Sequence, residues 1–383
     1  VIRRDLFTAE HDAFRAMVRE FIEAEAVPHY AEWEKAGELP ASFWKKMAST
    51  GVMGMAIPEK YGGAGIDDFR YNAIVREEAA HAAVTLGAVS TQLDVILPYF
   101  LAYADDAQRY RWFPGLASGE LRTAIAMTEP GTGSDLAGMR TTAVRDGSCY
   151  VVNGAKTFIT GGALAELVIV VARTATIEGD RRAGLTLLVM EDGMPGFVRG
   201  RKLDKLGLKT QDTAELSFTG VRVPVSNRLG AEGAAFGYLG RNLPRERLAI
   251  AVGAVASARA ALTLTVDYVR ERRVFGQPVS QFQNTKFELA SVATEIEAAQ
   301  AFADTALSSL IAGSLSGADA AMVKLLCTET QGRVVDRCLQ LFGGYGYITE
   351  FPIARLYADA RVTRVFGGTS EVMKTIISKS LGL

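Results

Sequence analysis

The sequence predicts an α+β protein in three parts: an N-terminal helical domain over residues 1–121, a middle β-barrel or sandwich over 122–230, and a C-terminal helical bundle over 231–383. Three observations carry that prediction. Apolar residues recur at helical spacing up to Ala117, short apolar runs alternate with glycine-rich turns from Arg122, and long alanine-rich helical faces follow from Ala231. A chain of 383 residues has room for that many cores.

Residues Thr8 to Tyr30 place Phe14, Val18, Phe21 and Ile22 on one helical face with charge on the other. Proline and glycine then punctuate the chain at Leu39-Pro40 and from Ile57-Pro58 to Gly65. Helical stretches are expected near Asp67–Val84, Ser90–Tyr103 and Asp106–Ala117. Beyond Arg122 the strand candidates are Thr123–Met127, Tyr150–Asn153, Leu167–Ala172 and Leu185–Met190, with Ala214–Phe218 alternating at the period of a half-buried strand. No crossover helix follows any of these strands. Gly131-Thr132-Gly133-Ser134-Asp135-Leu136 also lacks the third glycine of a dinucleotide fingerprint, so a doubly wound nucleotide fold is rejected. In the last part Leu248, Val252, Val255, Leu262, Val266 and Val269 mark one face of a helix reaching about Arg273. Helices near Gln281–Ile311, Ala318–Phe342, Pro352–Arg361 and Ser370–Ser380 complete a bundle.

An apolar content of 49% and a charged content of 22% are those of a soluble globular protein. A formal net charge of −1 gives no electrostatic case for nucleic acid or a membrane surface. Cys149, Cys327 and Cys338 have neither disulfide number nor metal spacing, which makes a reducing cytoplasm the expected compartment. The opening Val1-Ile2-Arg3-Arg4-Asp5 carries no signal-peptide core, and the most apolar run, Leu248–Ala258, ends at Arg259, too short to span a bilayer. All three histidines lie in the N-terminal helices without ligand spacing, so neither a metal site nor a Ser-His-Asp triad is expected. Carboxylates remain as the acid–base candidates.

The turn Met127-Thr128-Glu129-Pro130-Gly131-Thr132-Gly133-Ser134-Asp135 combines glycines with hydroxyls and an acid. Lys156-Thr157-Phe158-Ile159-Thr160-Gly161-Gly162 repeats the idea with an aromatic residue. Glycines let a ligand approach the backbone, and an aromatic ring beside hydroxyls suits a planar cofactor, although both segments also read as plain turns between strands. Farther on, Asn242-Leu243-Pro244-Arg245-Glu246-Arg247-Leu248 is expected to open the long helix, with Pro244 at its first position and Glu246 in its first turn. The helix dipole favours a carboxylate there whatever the function.

Taken together, these segments resemble the acyl-CoA dehydrogenases. The resemblance continues in order through Gly200–Gly207, Arg272-Arg273-Val274-Phe275-Gly276, Gln340–Gly346 and Phe366-Gly367-Gly368-Thr369-Ser370-Glu371, covers nearly the whole chain and leans toward the long-chain enzymes. It implies FAD as cofactor, held by Ile125, Met127, Thr128, Gly133, Ser134, Phe158, Ile159 and Thr160. A second group, Arg272, Phe275, Gln283, Gln340, Gly343 and Gly344, would reach the FAD of a neighbouring subunit, and Gly368, Thr369 and Glu371 complete the set. Phe158 stands where many relatives have tryptophan, and Glu371 replaces a glutamine of some relatives.

The implied reaction is α,β-desaturation of an acyl-CoA thioester, the α-proton going to a carboxylate and the β-hydrogen leaving as hydride to the flavin. Most short- and medium-chain relatives place their base beside the Gly-Thr-Ser motif near the C-terminus, where this chain has Gly367. Long-chain and isovaleryl enzymes place it in a Glu-Arg pair, here Glu246-Arg247. Glu246 is therefore the expected base, with Ser134, Arg247 and Gly367 on the substrate side and the Ser90–Tyr103 helix along the distal pocket. A homotetramer built as a dimer of dimers, with an electron-transferring flavoprotein as electron acceptor, completes what the resemblance implies. A flavin oxidase or monooxygenase on the same fold, and a non-catalytic acyl-CoA-binding protein, stand as alternatives.

Overall fold

The computed structural model describes residues 3–383; Val1 and Ile2, which open the expected N-terminal domain, lie outside the described residues. Helix α1 (Ala9–Glu25) buries Val18 and Ile22 and packs Phe14 and Phe21 against the same core, the face that the spacing predicts. It stops short of Tyr30 because Pro28 has no N–H to continue the ladder, and α2 (Tyr30–Ala36) restarts after one tight turn. Next come α3 (Ala41–Ser49) and α4 (Phe69–His81), the latter capped by Asp68, whose carboxylate accepts the Arg70 N–H at 2.9 Å. The helix expected over Ser90–Tyr103 is a composite of α5 (Gly87–Thr91), a π turn (Gln92–Ile96) and α6 (Leu97–Tyr103). Pro98 accounts for the π turn: it cannot donate one turn back and its ring crowds the carbonyl there, so the helix widens just before it. Helix α7 (Asp106–Ala117) closes this part.

The middle region is an eight-stranded sheet. Its strands are β1 (Thr123–Ala126), β2 (Thr142–Asp146), β3 (Cys149–Thr160), β4 (Leu167–Arg173), β5 (Leu185–Glu191), β6 (Phe197–Lys202), β7 (Thr213–Pro224) and β8 (Arg228–Leu229). They run in the order β6-β7-β3-β2-β4-β5-β8, with β1 parallel to β4 on its free side. Strands β2 and β4 touch through one pair, Thr142 with Arg173, so the sheet folds there over a core of Ala126, Tyr150, Val168, Val170, Leu188 and Phe218. The opposite faces of β4 and β5, through Ile169, Val171, Leu187 and Val189, pack on Tyr99, Phe100, Trp112 and Phe113 of the N-terminal helices. Burial on both faces explains why β4 and β5 read as nearly continuous apolar runs. The mostly exposed β2 and β6 lack such a run, which is why the pattern does not reveal them.

Helix α8 (Ala235–Glu271) corrects one expectation. It starts nine residues before Pro244, which is internal, so Glu246 lies about three turns in rather than in the first turn. The earlier start is stabilised by Ala235, Tyr238 and Leu239, which bury themselves among the N-terminal helices and β5 and offset the hydrogen bond that Pro244 cannot make. A window of α8 has a mean hydropathy of 1.7, enough by length and composition to cross a membrane, but its apolar face is core: Ala251, Ala254, Ala258 and Ala261 pack within the bundle. A short hairpin of β9 (Arg273–Val274) and β10 (Gln277–Pro278) leads to α9 (Gln283–Ile311), α10 (Gly317–Phe342), α11 (Pro352–Ala360) and α12 (Ser370–Ser380).

The Gly200–Gly207 segment joins sheet to bundle. The Leu208 N–H donates to the buried Asp359 carboxylate of α11, whose pKa burial pushes up to about 6. A Cβ added at Gly207 would lie 2.6 Å from both the Ala358 carbonyl carbon and the Asp359 nitrogen, and backbone cannot swing away as a side chain can. Gly207→Ala is therefore expected to lower unfolding stability by about 1–3 kcal/mol, the cost of overpacking, measured by denaturant titration.

Candidate active site

Two glycine-rich turns, far apart in the chain, meet at the edge of the sheet. The first leaves β1 at Met127 and closes on itself, with Glu129 and Thr132 exchanging backbone hydrogen bonds of 2.9 and 3.0 Å. The second is the end of β3, where the pairing with β7 slips between Lys156 and Ile159. The Thr157 N–H donates to the Thr128 carbonyl at 2.9 Å and ties the turns together.

Beneath them lies an ion pair that local pattern does not single out. The buried Lys156 ammonium donates to Glu129 Oε1 at 2.9 Å and to the Met127 carbonyl at 3.0 Å. Glu129 also accepts the Arg140 and Thr141 amides at 2.7 and 2.9 Å. Burial alone would raise the Glu129 carboxyl, but Lys156 and these amides hold it below the usual carboxylate range. Burial also pulls the Lys156 ammonium down to about 8 against the attraction of Glu129.

The slip in β3 rotates Phe158 into the left-handed region at φ 59° and leaves the residue 68% exposed. An exposed aromatic face is what a ring-stacking platform requires, and backbone strain of this kind clusters at ligand sites. Ile159, next along, is buried in the sheet core, so its side chain faces away from this surface. Ile125 and Met127 are half-buried against the cluster shared with α6 and α7. Thr160 Oγ1 accepts the Gln211 side-chain amide at 2.9 Å, which leaves its own proton free to donate. Gly133 has open space where a side chain would stand, Ser134 is exposed, and neither N–H has a protein acceptor among the described residues.

Glu246 comes from α8 and meets Tyr99 of the cluster against which Ile125 and Met127 pack. It is 5% exposed, and its Oε1 accepts the Tyr99 hydroxyl at 3.0 Å. Burial raises its pKa to about 7, and the Tyr99 hydrogen bond and the adjacent Arg247 charge limit that rise. This deep in the helix the N-terminal dipole is spent, so the dipole does not account for a carboxylate at this place. Arg247, also buried, donates through Nε to the Gly367 carbonyl at 3.3 Å, and Lys324 donates to the Gly368 carbonyl at 2.6 Å. Burial pulls Lys324 down to about 8. With both carbonyls gripped from behind, the Gly367 N–H keeps no protein acceptor among the described residues. Gly367 and Gly368 take φ values of 65° and 97°, and Thr369 caps α12 by accepting the Val372 N–H at 3.3 Å. Glu371, in the first turn of α12, is exposed.

Arg272, Phe275, Gln283, Gln340, Gly343 and Gly344 form a separate group. From Glu246 to the end of α8 the helix rises roughly 40 Å. At that far end the Arg272 guanidinium lies 5.3 Å from the Tyr345 ring centroid, Tyr268 stacks on Phe342, and the tip residue Phe275 is 94% exposed at φ 50°. Gln340, Gly343 and Gly344 lie beside this corner, at and just past the end of α10. Tyr99, Lys156, Lys324 and Gln211, which hold these candidate groups, escape local reading because each is defined by a partner distant in the chain.

The family models for the acyl-CoA dehydrogenase N-terminal, middle and C-terminal domains match residues 8–120, 124–221 and 235–382 in turn. The chain belongs to the acyl-CoA dehydrogenase family and is an enzyme of that class. Within it, the chain is similar to long-chain specific acyl-CoA dehydrogenase, mitochondrial, of Sus scrofa: 45% identical over 378 residues, 99% of this chain and 88% of that protein. The crystal structure of an acyl-CoA dehydrogenase from Geobacillus kaustophilus matches with a TM-score of 0.97 and 45% identity over 100% of both chains. A glutaryl-CoA dehydrogenase from Mycobacterium smegmatis in complex with FADH2 matches with a TM-score of 0.90 and 30% identity, covering 98% of this chain and 95% of that one.

Lys156→Met is expected to strand the Glu129 carboxylate without its cation and to cost about 3–5 kcal/mol, the scale of a broken buried ion pair. Thermal unfolding against wild type measures the loss.

Proposed function

We propose that the protein catalyses FAD-dependent α,β-dehydrogenation of an acyl-CoA thioester to the trans-2-enoyl-CoA, with Glu246 as the base. The observation that carries this reading is Glu246 itself, a buried carboxylate poised near neutral pH on α8, next to Arg247, which donates to the carbonyl of Gly367, a residue with no side chain to act as a base. The residues present fit FAD. The bare Phe158 ring offers a face for the isoalloxazine, the free amides of Gly133 and Ser134 offer donors to its polar edge, and Thr160 has an unspent hydroxyl proton. Bound FAD supplies the hydride acceptor for the β-hydrogen.

The protein's own part is proton chemistry and orientation. Glu246 takes the α-proton, and a pKa near 7 balances being ionised against being basic enough to remove it. The Gly367 N–H, aimed by the grip of Arg247 and Lys324 on the turn, donates to the thioester carbonyl as enolate character develops. Ser134 lies on the CoA side. Likeness to the long-chain enzyme of Sus scrofa favours a long or branched acyl chain, with electrons passed to an electron-transferring flavoprotein. The separation of the Arg272–Gly344 group from Glu246 supports a cofactor shared between subunits and hence a dimer of dimers. The three free cysteines suit a reducing cytoplasm.

Glu246→Gln is expected to keep bound FAD while turnover falls by about 100-fold or more, assayed with saturated acyl-CoAs of increasing length and an artificial acceptor. Near-normal turnover would remove Glu246 from the mechanism. In the wild type kcat/KM should rise with pH through about 7, because the base works only once deprotonated. Arg272→Glu should weaken FAD retention and assembly together, read by flavin absorbance and light scattering; a fully flavinated monomer would contradict the shared site.

A further inference from the structure

The hydroxyl that meets Glu246 stands on an element fastened by side-chain hydrogen bonds. Tyr99 is wholly buried on α6, the helix that follows the π turn. Two side chains of that turn fasten it on opposite sides. Gln92 Oε1 accepts the Thr123 N–H at 2.8 Å and its hydroxyl at 3.0 Å, which fixes the turn to the strand leading into the first glycine-rich loop. Asp94 accepts the Asn72 amide at 2.7 Å and pairs with Arg76, which fixes it to α4. The Tyr99 hydroxyl therefore approaches Glu246 Oε1 from a clamped element, while Glu246 Oε2 has no donor among the described residues.

We propose that Tyr99 is a positioning residue of the reaction: its hydroxyl holds one oxygen of the Glu246 carboxylate so that the other is presented to the substrate's α-carbon. The proposal rests on the reading of Glu246 as the base. A hydrogen bond to one oxygen fixes the carboxylate plane, and proton abstraction at carbon is sensitive to that plane. The bond also opposes the desolvation that raises the carboxyl, since a donor favours the charged form. The charged and titratable groups that face Glu246 are Tyr99 from α6 and Arg247 from its own helix, while Lys324 of α10 faces Arg247 instead. Tyr99 stays a donor throughout the working range, because burial and the Glu246 charge hold its phenol well above 10.

The test is Tyr99→Phe in the flavin-loaded protein, which keeps the ring and removes only the hydroxyl. Titration of the Glu246 carboxyl is followed by difference infrared spectroscopy with Glu246→Gln as the blank, alongside the pH profile of kcat/KM. Both midpoints should move up by about one unit, the size of one lost hydrogen bond to a buried carboxylate. At high pH kcat should fall about tenfold for lost orientation with KM little changed. Replacing Tyr99 with a ring-fluorinated tyrosine, a stronger donor, should move both midpoints down, and a merely structural role would not give opposite shifts. Unmoved midpoints in both variants overturn the proposal and leave the base assignment standing. Absence of the titrating signal's dependence on Glu246, or full turnover of Glu246→Gln, overturns the base assignment itself.

Discussion

A carboxylate that leaves water becomes hard to ionise, and the chemistry of this site depends on where Glu246 is buried. Helix α8 runs through two cores, its first turns among the N-terminal helices and β5 and the remainder within the C-terminal bundle. Glu246 sits where one core hands over to the other. Packing on both sides dries it, and one phenol hydroxyl with one guanidinium keeps it from being neutralised outright. Breaking α8 at Pro244 would place Glu246 at a helix end, where the dipole would act on its charge.

The ligand-facing turns follow a different logic. Gly131 and Gly133 have open space around them and Phe158 is exposed and strained, so the turns rest on what lies beneath. Lys156 and Glu129 supply that support with charge-assisted bonds to backbone amides and to a carbonyl. A buried ion pair is an uncertain source of net stability, but it specifies geometry sharply, since each partner is costly to leave alone. Phe158 can then hold its exposed ring in a conformation that an aromatic residue seldom takes.

Much of this organisation was legible in the residues. The change from helical spacing to alternation at Arg122, the nearly continuous apolar β4 and β5, and the helices α9 to α12 are all visible as patterns, because periodicity depends only on neighbours in the chain. The mostly exposed strands β2 and β6 were not, since an exposed strand needs no apolar signature. Proline misled once and was underread once. Pro244 looked like a helix start because that is its cheapest place, yet the burial of Tyr238 and Leu239 outweighs the lost hydrogen bond; Pro98 widened a helix that spacing alone read as regular.

The sequence by itself determined the order of the elements, the glycines and hydroxyls of the two turns, and the pairing of a carboxylate at 246 with a glycine at 367. Those are matters of residue type and local spacing. Only the tertiary structure decided that Glu246 is dry and poised near 7, that Tyr99 from 147 positions away supplies its donor, that Lys156 stands beneath both turns, and that the Arg272 corner lies at the other end of α8. Desolvation and hydrogen bonding are set by whatever packs against a group, and for each of these groups that partner comes from a distant part of the chain.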